Sequence, residues 1–90
     1  MEFVWNHRNA EHIGEHGVTP WDAEEIVREA RPPYPQALGD GKRLVVGKLA
    51  DGRFVQVIYV PSRSMPGAVY VVHARPLTDP EKRRFRRRKK

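Results

Sequence analysis

The chain has 90 residues, enough for one compact domain and no more. Apolar residues make up 39%, which supports a single small core, and the lack of cysteine excludes disulfides, thiolate zinc sites and thiol catalysis. The net charge of +6 is unevenly spread: residues 1–30 set seven acids against Arg8 and Arg28, whereas residues 82–90 hold eight Lys/Arg and no acid.

Phe3-Val4-Trp5 is short, aromatic and branched, the pattern of an edge or first strand. Asn6 is placed to cap a helix over 7–16, with Ala10 and Ile13 as a thin apolar stripe and Gly17 as its end signal. A second helix over about 20–30 is better specified. Thr19 caps it, Pro20 takes its first position, and Asp22 completes a capping-box-like start. Ala23, Ile26, Val27 and Ala30 then recur at helical spacing and give it a buried face.

Residues 31–42, with three prolines, two glycines and Asp40, read as a loop. From Arg43 the period changes to two. Arg43–Leu49 and Arg53–Val60 are strands joined through Asp51-Gly52, a dipeptide favoured in tight hairpins. After a break at 61–67, Ala68–Ala74 is another strand. Thr78-Asp79-Pro80-Glu81 is a second capping box, so the cationic tail starts as a helix, with Leu77 and Phe85 as its only anchors. The expected order is β-α-α-β-β-β-α, an α+β fold with a small antiparallel sheet and the N-terminal helices largely on one face. Residues 1–81 form the domain and 82–90 its cationic C-terminal helix or tail.

The longest apolar run, Ala68–Val72, is far too short for a membrane span, and Met1–Trp5 lacks the pattern of a secretion signal. These features predict a soluble, cytoplasmic protein that does not engage a membrane. Eight clustered cations suit phosphate, so nucleic acid is the expected partner; a tail that only aids solubility is the simpler reading of the same charges.

His12-Ile13-Gly14-Glu15-His16 matches the H-x-x-E-H inverted zincin pattern. A glycine inside the metal helix, the lack of an evident third ligand and the small size of the chain argue against zinc hydrolysis. No metal or cofactor is expected. The glycines form neither a dinucleotide nor a P-loop fingerprint, and neither Ser62 nor Ser64 has a nucleophile-elbow context.

Val71-Val72-His73-Ala74-Arg75-Pro76-Leu77-Thr78-Asp79-Pro80-Glu81, followed by Arg83, Arg84 and Phe85, resembles the C-terminal signature of the BrnT family of bacterial toxins. Phe3-x-Trp5, Asn9, His16-Gly17-Val18-Thr19 and the helix with Ala23 and Glu24 are similar to that family's opening, and Gly47 fits its central strand. The resemblance implies a fold like that of the RelE ribonuclease toxins. It also implies metal-independent cleavage of mRNA, possible action on the ribosome, and neutralisation by a small acidic antitoxin.

Metal-free RNA cleavage needs a base for the 2′-OH proton, cations for the phosphorane and an acid for the leaving oxygen. Arg75 matches the signature arginine and suits the scissile phosphate. Strand alternation puts His73 on the same face, where an imidazole can be base or acid, or simply a histidine bonded within the sheet. Lys42 or Arg43 is the candidate second cation, with the spacing to Gly47 favouring Lys42 as counterpart of the family's strand arginine, and either is equally readable as a solvated strand end. Arg83, Arg84, Arg86, Arg87, Arg88 and Lys48 are the expected RNA-backbone contacts. Phe85 stands where the family often has tyrosine, and Glu15 where lysine is common. A non-catalytic nucleic-acid- or partner-binding module of the same fold is therefore the alternative.

Overall fold

A computed structural model describes residues 1–88, with side chains through Arg87. The elements are β1 (Glu2–Val4), α1 (His7–Gly14), α2 (Pro20–Arg28), β2 (Gln36–Gly39), β3 (Lys42–Lys48), β4 (Phe54–Pro61), β5 (Ala68–Pro76) and α3 (Asp79–Arg88). The α+β class and the three helices agree with the sequence. The expected division after residue 81 falls inside α3.

The sheet has five strands in the order β1-β5-β4-β3-β2. Strands β2 to β5 are antiparallel neighbours, but β1 runs parallel to β5, with Phe3 opposite Val69. The expected antiparallel sheet is thus corrected to a mixed one. The reason lies at Asn6, whose side chain accepts from the Asn9 backbone N–H and caps α1 directly after β1. The chain leaves the sheet there, and α1 takes over the edge of β5. Buried Asn9 holds it in place by donating to the carbonyls of Val4 and Val71.

The second correction concerns residues 31–42, which contain β2 as well as a loop. Asp40 and Gly41 both have positive φ (54° and 78°) between Gly39 and Lys42, the geometry of a two-residue hairpin turn. Aspartate is one of the few residues with a Cβ that visits this region, and Gly41 has no Cβ to clash.

Val55, Val57 and Tyr59 alternate into the core with Val45, where they meet Ala23, Ile26 and Val27 of α2. Gly47 makes one close approach here: a Cβ there would lie 3.2 Å from Ile26 Cδ1, which would have to shift by a few tenths of an ångström. Phe54, Gln56 and Ile58 point to the opposite face. There Phe85 of α3, 8% exposed, packs against Phe54 and Tyr34 with ring centres 5.7 and 6.2 Å apart. The helices therefore do not share one face. No helix among the described residues is long and apolar enough to cross a membrane.

Candidate functional site

The site is set by an irregularity in β5. Tyr59 pairs with Val71 while Ile58 pairs with His73, so Val72 is an extra residue, a β-bulge. Without it, His73 and Arg75 would continue the alternation of buried Val69 and Val71 and point into the core. The bulge shifts the phase: Ala74 becomes the buried residue opposite Val57, and His73 and Arg75 turn outward opposite Ile58 and Gln56.

Arg75 is already engaged. Its Nη1 and Nη2 each donate to a Glu81 carboxylate oxygen at 2.8 Å, and Nη1 also donates to the Pro76 carbonyl at 3.1 Å. Glu81 accepts in addition from the Thr78 backbone N–H at 2.8 Å, so one carboxylate serves both the α3 cap and the arginine. The guanidinium holds the Glu81 carboxyl down to about 2, helped by the Thr78 N–H. The carboxylate in turn raises Arg75 above its ordinary value.

His73 faces two other imidazoles. Its ring centre lies 5.7 Å from that of His16 and 6.0 Å from that of His12, and the latter two are 6.0 Å apart. Burial pushes the His73 imidazole below its ordinary value, and the charges of Arg75, His16 and His12 act in the same direction. His73 is half-buried, whereas His12 and His16 are exposed. The H-x-x-E-H segment does not form a helical metal grip. α1 ends at Gly14, which puts His16 in the following turn, and Glu15 Oε1 lies 3.9 Å from His12 Nδ1. Among the described residues no group of three or more His, Asp or Glu is arranged to hold a metal ion.

Lys42 and Arg43 separate. Arg43 is opposite core residue Tyr59, on the α2 side of the sheet, so Lys42 is the one that shares the His73 face. It stands two strands across and two residues along from His73, roughly 12 Å away. The structure does not bring it to the imidazoles. Lys48 and Arg86 instead flank the Phe54 ring, with charge centres 5.6 and 5.4 Å from it. Arg83, Arg84, Arg86 and Arg87 are exposed on α3, and Arg84 lines a cleft with Gln56 and Glu81. The role expected of Arg88 falls on a side chain outside the described residues.

Sequence reasoning missed the meeting of His12 and His16 with His73 and the pairing of Glu81 with Arg75. Glu81 was legible as a cap, but its second partner depends on where β5 ends relative to α3. No family model, no curated protein and no solved structure matches this chain.

Proposed function

We propose that the protein is a BrnT-like, bacterial, cytoplasmic toxin of RelE-like fold that binds mRNA and cleaves it without metal, halting translation. A small acidic antitoxin is its proposed protein partner. The observation that carries this reading is the outward face of β5, where His73, with two more imidazoles beside it, lies next to Arg75. Imidazoles supply a base and an acid near neutral pH, and a guanidinium supplies charge for a phosphorane. The exposed arginines of α3, with Lys48 at its side, give the phosphate backbone a place to lie. An acidic antitoxin would cover the same cationic surface.

One observation favours the alternative, a non-catalytic nucleic-acid- or partner-binding module. Arg75 is already matched by Glu81, so a phosphate has to share or displace that carboxylate. Cleavage of a long mRNA by the purified protein in EDTA, with and without ribosomes, decides between the two.

A further inference from the structure

The histidines of the H-x-x-E-H segment have no role as metal ligands in this arrangement, yet the fold brings them to His73. They come from different parts of the chain: His12 from α1, His16 from the turn after it, and His73 from β5 just past the bulge. The three imidazoles contact one another at centre-to-centre spacings of 5.7–6.0 Å, with His12 and His16 exposed to solvent.

We propose that His73 and His16 form the acid–base pair of RNA transesterification. The inference rests on the ribonuclease reading above and adds the second group, which that reading leaves unassigned. His73 takes the proton of the 2′-OH as the 2′-oxygen forms its bond to phosphorus. His16, entering protonated, gives its proton to the 5′-oxygen as the P–O5′ bond breaks. The products are a 2′,3′-cyclic phosphate and a free 5′-OH, and a proton returned from the protonated His73 to His16 through water resets the pair.

Distance supports the assignment. Each group must approach its oxygen to about 2.6–3.2 Å, and the two oxygens share one phosphorus, so both rings must reach the same phosphate. His16 is the nearer of the two imidazoles to His73, at 5.7 Å against 6.0 Å for His12. Environment separates the roles. His73 is half-buried and held toward its neutral form, which suits a base; His16 is exposed. The charged or titratable groups that act on His73 are Arg75 from its own strand and His12 and His16 from the α1 side, while its β4 neighbour is Ile58. His12, with Glu15 beside it, is left outside the pair.

A sulfur substitution at the leaving oxygen tests this directly. A 5′-thiolate leaves without protonation, so loss of the acid is forgiven on that substrate and loss of the base is not. The substrates are one oligoribonucleotide containing a linkage that the wild type cuts and the same oligonucleotide with sulfur at that 5′ position. His16→Ala should cut the ordinary linkage roughly 100-fold or more slowly and recover to within about tenfold of wild type on the thiolate, the loss expected for one acid. His73→Ala should be slow on both, and His12→Ala, which removes one of the charges acting on His73, should change the rate on both substrates to the same extent. Recovery on sulfur also shows that the His16 variant is folded. If His16→Ala cuts the ordinary linkage at the wild-type rate, or is equally slow on both, the pair is wrong while the ribonuclease reading stands. If the wild type cuts no RNA, both fall.

Discussion

Arg75 and Glu81 meet fork to fork, with both terminal guanidinium nitrogens 2.8 Å from a carboxylate oxygen. The pair ties the end of β5 to the first turn of α3 and so fixes the cationic helix to the sheet. It also makes Glu81 a competitor for any phosphate that approaches Arg75. Glu81→Gln should therefore raise RNA affinity, by about threefold or more, while lowering the melting temperature. A partly exposed pair is worth about 1 kcal/mol, or roughly 4–8 °C in a domain of this size. Calorimetry and a binding titration on the same preparation check both signs.

The same pair sets an acid limit. The Glu81 carboxyl is lowered from its ordinary 4.5 to about 2 in the folded state. A group depressed on folding contributes stability that is fully present above its unfolded value and is lost as pH falls through its folded one. The attachment of α3 should thus hold above pH 4.5 and weaken progressively down to about pH 2. Hydrogen exchange of α3 amides across this window should show that loss, and Glu81→Gln should remove most of the pH dependence.

The contact of Ile26 with Gly47 predicts a non-additive pair. Ile26→Ala should cost about 2–4 kcal/mol by leaving a cavity. Gly47→Ala places a Cβ 3.2 Å from Ile26 Cδ1, so this side chain must shift to admit it and the change should be less favourable than in the Ile26→Ala background. In the Ile26→Ala background that methyl enters vacated space, so Gly47→Ala should be nearly neutral or stabilising there. Chemical denaturation of the four proteins measures the coupling.

Asn9 predicts a large effect from a small polar side chain. It is 3% exposed and its amide satisfies the carbonyls of Val4 and Val71. Asn9→Ala leaves both without that donor and should cost about 1–3 kcal/mol. Thermal unfolding reads the loss.

Local chemistry made much of this fold legible: Asn6, Thr19 and Thr78 were readable as caps, and Ile26 and Val27 as a buried face. Asp40-Gly41 carried the same hairpin signal as Asp51-Gly52, but the prolines around it hid β2. The parallel pairing of β1 with β5 had no local signal, because it joins segments more than 60 residues apart. At the site, alternation showed that His73 and Arg75 share a face, but the Val72 bulge decides which face. Regular alternation would have put both with Val71 in the core. The meeting of His16 with His73 depends on that bulge and on α1 lying along the β5 edge, so spacing alone did not reveal it.

The exposed arginines of α3 predict a salt-dependent hold on RNA. Deleting the tail would also remove buried Phe85, so charge is better removed by substitution. Replacing Arg83, Arg84 and Arg87 together with Gln, and sparing Arg86 over the Phe54 ring, should leave the melting temperature nearly unchanged. The log–log salt slope for single-stranded RNA should flatten by about 0.7 for each phosphate no longer neutralised, or about 2 in total.

The proposal that the β5 face cleaves RNA is tested most directly on a long mRNA incubated with purified, antitoxin-free protein in EDTA, with and without ribosomes. The account predicts discrete fragments ending in 2′,3′-cyclic phosphate. It also predicts that the rate for Arg75→Ala drops roughly 100-fold or more, with RNA affinity kept within about tenfold. Full-length mRNA under both conditions, with RNA bound but uncut, would contradict the ribonuclease claim and leave the binding module.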